Sequence, residues 1–145
     1  GVLSWANPYW EAKEKGAVII PSLELHSDGV DAALSRIPVS GDTYVSIDID
    51  VLDPAVAPGT GYPEPGGISY YELKKALLYV GRRTKLVGFD LVEVSPNFDP
   101  SQRTTRTAAR IILDLLGVIF TSRSQLSQTE REMETASIKV GSQGG

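Results

Sequence analysis

Three short apolar runs alternate with three stretches of helical spacing, and this alternation constrains the fold more than any other feature. The runs are residues 17–20, 44–49 and 86–92. Each has the length and β-branched content of a buried strand. Between the first two, Val30, Ala33, Leu34 and Ile37 fall at helical spacing with Asp28 in the N-cap position. This predicts a helix over about 28–37, ended by Pro38 and Gly41. Ser69 and Glu72 have the spacing of a capping box ahead of Leu73, Ala76, Leu77 and Val80, so a second helix is predicted to stop at Gly81. A third, over about 104–116, carries Ala108, Ile111, Ile112, Leu115 and Leu116, with Gly117 as its stop. Strand–helix alternation implies parallel strands joined by right-handed crossovers, with helices covering the sheet. The expected class is α/β.

Composition narrows what such a sheet can serve. Fourteen basic and 18 acidic residues give a formal net charge of −4. That is no electrostatic footprint for nucleic acid or an anionic membrane. No apolar run approaches the roughly 20 residues of a membrane-spanning helix. The absence of cysteine excludes disulfides and thiolate metal sites. The chain opens at Gly1 without an initiator methionine or a signal peptide, and is expected to be part of a longer protein. Residues 1–120 read as part of one domain. Residues 121–145, rich in Ser, Gln, Thr and Glu, read as a flexible polar tail.

Ligands of open parallel sheets bind outside the carboxyl ends of the strands. The unusual acids stand there. In Asp48-Ile49-Asp50-Val51-Leu52-Asp53-Pro54 the first two aspartates are two residues apart, so an extended chain points both to one side. Two carboxylates so close repel and are costly to desolvate, and a divalent cation removes both difficulties. The alternative is that they merely start a turn. Asp53, before Pro54, is expected to shape the loop through backbone hydrogen bonds. The Pro- and Gly-rich segment 57–67 is long for a plain connection, which favours a functional loop. Glu93 ends the last strand, where it either grips a cation such as a planar guanidinium or pairs with Arg103 or Arg106. Asp90, in mid-strand, is expected to be a satisfied polar group, and His26 a loop or capping residue.

These motifs resemble the signature of the ureohydrolases, which include arginase, agmatinase and guanidinobutyrase. The resemblance is carried by residues 46–54, by Ala57-Pro58-Gly59-Thr60-Gly61 with Pro63-Glu64 and Gly66-Gly67, and by Val87-Gly88-Phe89-Asp90-Leu91-Val92-Glu93-Val94-Ser95-Pro96. It extends over residues 12–117, and the Pro-Gly-Thr-Gly loop is most similar to the agmatinase subgroup. The resemblance implies a three-layer α/β/α sandwich with a mainly parallel sheet, of which this chain is the C-terminal half. It implies a dinuclear manganese centre, with nickel as the alternative metal, that hydrolyses a guanidino compound such as agmatine or guanidinobutyrate to urea and an amine. Asp48 would correspond to a bridging metal ligand, Asp50 to a ligand of one ion, and Glu93 to the residue holding the guanidinium. Tyr62 stands where the family has threonine beside that group and would be a second substrate-binding residue, its phenol either narrowing the pocket or turning outward. Two upstream motifs, Gly-Gly-Asp-His and Asp-Ala-His-x-Asp, provide four of six metal ligands and are not in this sequence. General acid and base residues are therefore expected upstream, and this chain alone is expected to be inactive. A homo-oligomer, trimeric or hexameric, in the cytoplasm or a mitochondrion is further implied. The competing expectation is a degenerate homologue that acts only in oligomer assembly. A haloacid-dehalogenase phosphatase is disfavoured, because Leu52 stands where that class has Thr or Val.

Overall fold

The computed structural model describes residues 6–121, and the segment expected as a polar tail lies outside them except for Thr121. In chain order the elements are helices α1 (Ala6–Glu14), α2 (Ser22–Asp28) and α3 (Val30–Ser35), strand β1 (Asp42–Asp48), a 3-10 turn (Ile49–Val51), helix α4 (Tyr70–Gly81), strand β2 (Lys85–Val92) and a second 3-10 turn (Pro96–Phe98). Helix α5 follows, running through residues 103–121.

Strands β1 and β2 pair in parallel, from Asp42 opposite Lys85 to Asp48 opposite Val92. A register shift after Thr43 leaves Val87 without a partner. Partnered residues of parallel strands share a face. One face therefore carries Val45, Ile47, Leu86, Phe89 and Leu91. This face meets the core, where Leu73 and Leu77 of α4 and Ala108, Ile111 and Leu115 of α5 are buried. The opposite face carries Tyr44, Ser46, Asp48, Asp90 and Val92. On it Tyr44 Oη and Ser46 Oγ both donate to the Asp90 carboxylate, at 2.9 and 2.7 Å. Asp90 is thus a satisfied polar group, as its mid-strand position requires. Of the three layers expected, the described residues supply the sheet and the helices on one face. Asp48 emerges on the other.

Local chemistry accounts for α4. Ser69 Oγ accepts from the Glu72 backbone, the Glu72 carboxylate accepts from the Ser69 backbone, and both halves of the capping box are present. Those bonds hold the Glu72 carboxyl below its ordinary range. Gly81, the last residue of α4, is where that helix packs closest on Val118: a β-carbon there would lie 2.0 Å from Val118 Cγ1. Asp114 ties the two core helices together, accepting from Tyr70 Oη and from Lys74 Nζ at 3.1 Å.

Three expectations are corrected. Residues 17–20 form no strand, because a strand exists only with a ladder partner and β1 and β2 pair only with each other among the described residues. Asp28 is the last residue of α2 rather than an N-cap. Gly29, at φ 86°, separates α2 from α3 and caps the latter. Gly117 does not stop α5, which continues to residue 121. A single glycine costs a helix only about 1 kcal/mol, less than the burial of Val118 just beyond it contributes.

Helix α5 gives a direct test of where the core lies. Leu115 is fully buried and Leu113 is 61% exposed. Leu115→Ala is expected to destabilise the chain by about 2–5 kcal/mol, and Leu113→Ala by less than about 0.5 kcal/mol. Urea denaturation midpoints of the two variants check both numbers.

Candidate active site

The site lies where both parallel strands end. Asp48, the last residue of β1, is opposite Val92, the last residue of β2, and Glu93 follows immediately. The extended geometry expected for Asp48 and Asp50 is not what brings them together. The strand stops at Asp48, whose carboxylate accepts from the Asp50 backbone at 3.1 Å and so caps the 3-10 turn. Ile49 and Leu52, at 0% and 1% exposure, are driven into the core by the same turn. Asp50 is left folded back toward Asp48. Burial pushes the Asp50 carboxyl above its ordinary range, the Asp48 charge and a side-chain hydrogen bond with it push further, and the Glu93 charge adds to them. Three acids therefore share one corner.

Glu93 has a backbone φ of 64°, in the left-handed region that non-glycine residues rarely adopt. Its side chain is exposed and makes no ion pair among the described residues, with Arg103 or any other base. Arg103 instead donates to the Ala55 carbonyl at 2.6 Å.

The loop 53–67 is held at both ends and in the middle. At its base Leu52 and Ile68 form a parallel bridge, with Asp53 N to Ile68 O at 3.0 Å. Asp53 accepts from Ala55 N at 2.8 Å and Gly66 N at 3.1 Å, closing the loop on itself. A β-carbon on Gly67 would lie 2.4 Å from Asp53 N, so only glycine fits there. Midway, Gly59 N donates to Thr104 Oγ1 at 2.7 Å, and Gly59 O accepts from Ser95 N at 2.8 Å. Thr104 in turn donates its hydroxyl (2.9 Å) and backbone N–H (2.7 Å) to Asp99, whose other oxygen accepts from Ser101. The hydroxyl of Ser101, then the backbone of Thr104, hold the Asp99 carboxyl down at about 2. This support was not read from the sequence. The signal was there, in an Asp before Pro100 and just ahead of a helix, the setting in which carboxylates cap orphan N–H groups.

Tyr62 is 78% exposed, with its ring in solvent rather than against Glu93. The hydroxyl of Thr60, a residue not singled out beforehand, is buried without a hydrogen-bond partner. His26 lies on α2, its Nε2 3.4 Å from the Gly66 carbonyl and its Nδ1 3.9 Å from Glu72 Oε1. It braces the loop and the start of α4. No group of three His, Asp or Glu side chains able to hold a metal is assembled among the described residues. The corner suits a divalent cation in chemistry, since a positive charge would offset both the burial and the Asp48 charge that raise Asp50. It supplies two oxygen-donor residues, not a complete cage.

A parallel α/β sheet with acids at its strand ends and a glycine-rich loop beside them defines the class, and the comparisons specify it. The chain belongs to the arginase family, whose model matches residues 1–117. It is 40% identical over 119 residues to an agmatinase of Chromobacterium violaceum, covering 80% of this chain and 35% of that protein. It is 41% identical over 117 residues to a guanidinopropionase of Pseudomonas aeruginosa, covering 79% and 36%. Among solved structures, the proclavaminate amidino hydrolase of Streptomyces clavuligerus matches with a TM-score of 0.68 and 38% identity, over 77% of this chain and 38% of that one. The chain spans about a third of the length of the curated relatives it matches.

The Asp99 network predicts an acid-dependent loss of stability. A carboxyl held at about 2 when folded and near 4 when unfolded contributes stability that is complete above pH 4 and lost as pH falls toward 2. Stability curves from pH 5 to pH 2 should be steeper for the natural chain than for Asp99→Asn, which is expected to be less stable at pH 5 and to converge with it at the acid end.

Proposed function

We propose that the whole protein hydrolyses a guanidino compound, of the agmatine or guanidinobutyrate kind, to urea and an amine at a dinuclear manganese centre. Within that centre Asp48 and Asp50 act as metal ligands and Glu93 as the substrate's guanidinium holder. The observation that carries this reading is the pairing of Asp48 with Asp50 at a strand end of an arginase-family chain, where burial and then the Asp48 charge raise the Asp50 carboxyl. Relatives named agmatinase, guanidinopropionase and N(1)-aminopropylagmatine ureohydrolase support the substrate class.

Two manganese ions, when bound, supply the Lewis acidity that makes water nucleophilic near neutral pH. The residues of this chain do the rest of what falls to it. Asp48 and Asp50, held beside each other by the buried Ile49 between them, are the carboxylates of this chain that would hold metal. Glu93 accepts two parallel N–H bonds from the planar guanidinium, which fixes the carbon to be attacked. Its strained backbone aims that side chain from the strand end, a cost of the kind that functional sites retain. Residues 1–145 alone, with two aspartates and a single histidine engaged with the loop, are expected not to turn over.

The test is urea release by the whole protein loaded with manganese or, separately, nickel. Agmatine, 4-guanidinobutanoate, 3-guanidinopropanoate and arginine are the candidate substrates. At least one should release urea. Asp48→Asn and Asp50→Asn should lower kcat/KM by about 100-fold or more, with loss of bound metal. Glu93→Gln should act mainly on KM, by roughly 10–100-fold. A folded, metal-loaded protein that releases urea from none of the four sinks the proposal.

A further inference from the structure

The end of β2 and the loop that passes it each carry one feature that the fold alone does not compensate. One is the backbone of Glu93 itself, at φ 64°. The other is Thr60, which is 3% exposed and whose hydroxyl has no hydrogen-bond partner. Buried hydroxyls without partners are uncommon, because water is given up and nothing replaces it.

The two features are neighbours. Gly59, before Thr60, is fixed to the exit of β2 through Ser95 N and to α5 through Thr104 Oγ1. Gly61, after it, runs beside Glu93, and a β-carbon on Gly61 would lie 3.9 Å from Glu93 Oε2. Thr60 thus lies in the loop between an anchored glycine and a glycine that passes the glutamate. Its backbone N–H is already engaged with the Pro58 carbonyl at 3.1 Å. The hydroxyl is buried without a partner, and the Glu93 carboxylate beside the loop has acceptor capacity to spare.

Building on the guanidino-hydrolase reading, we propose that Thr60 is a positioning residue for Glu93. Its hydroxyl donates to the Glu93 carboxylate once a guanidinium draws that side chain inward. The bond fixes the plane of the carboxylate for two-point recognition. Thr60 touches neither the metal nor the reacting carbon, so its effect falls on substrate binding and not on the chemical step.

Thr60→Val keeps the shape and removes the hydroxyl, while Thr60→Ser keeps the hydroxyl. Both are made in the whole manganese-loaded protein. Three quantities are measured: melting temperature without ligand, kcat and KM for the guanidino compound that the natural protein cleaves, and the Kd of agmatine by titration calorimetry. Thr60→Val is expected to melt at or above the natural temperature, to raise KM and Kd about tenfold, and to keep kcat within about twofold. Thr60→Ser is expected to restore KM and Kd. Unchanged KM and Kd in Thr60→Val overturn the inference. So does a lower melting temperature in Thr60→Val that Thr60→Ser recovers, since the hydroxyl would then have a structural partner. If the natural protein binds agmatine but releases no urea, the hydrolase reading falls while the Kd comparison still decides the role of Thr60. If it neither binds nor cleaves, both fall.

Discussion

Everything at the candidate site depends on one buried side chain. Ile49 sits between two aspartates and is wholly removed from water. Its burial, together with that of Leu52 three residues on, contributes roughly 1.5–3 kcal/mol per side chain. That contribution holds the chain in a turn which leaves Asp48 and Asp50 outside the core and beside each other. Without it the like charges would separate into solvent. A weak electrostatic conflict is thus maintained by a stronger hydrophobic constraint, as the proposed cation site requires.

The loop beside those acids is built on the same plan, with polar groups closing backbone bonds around small residues. Asp53 closes its base, and Asp99 reaches it through Thr104 and Gly59. Each of these carboxylates accepts from N–H or O–H donors that would otherwise be orphaned. Glycine is required at two points because backbone or side-chain atoms lie closer than van der Waals contact to a would-be β-carbon, at Gly59 from Asp99 and Thr104 and at Gly67 from Asp53. The glycines of the segment therefore reflect close packing at Gly59 and Gly67 and a left-handed turn at Gly66. Thr60 and Glu93 are the places where this satisfaction stops, and a guanidino-compound site would use both.

Elements whose signals are local were readable from the sequence. The capping box of α4 is formed by residues three apart, and the apolar runs of β1 and β2 carry their own burial. Asp53 and Asp90 were legible for the same reason: an Asp before proline bonds its own loop, and an Asp within an apolar strand must find donors nearby. Residues 17–20 were misread because apolar content does not make a strand without a neighbour to pair with. Asp28 and Gly117 were misread because a cap or a stop is a preference of about 1 kcal/mol, and the packing of neighbouring residues overrides it.

By itself the sequence determined the parallel α/β plan, the membership of Asp48, Asp50 and Glu93 in one set of strand ends, and the likeness to ureohydrolases, since spacing and residue type are enough for these. Only the tertiary structure decided how the acids meet, through a 3-10 turn rather than a pleat, and that Tyr62 faces solvent while the neighbouring Thr60 hydroxyl is shut in unpaired. Those outcomes depend on which atoms of distant segments occupy the same space. No local pattern encodes the approach of β2 and α5 to the loop that follows β1.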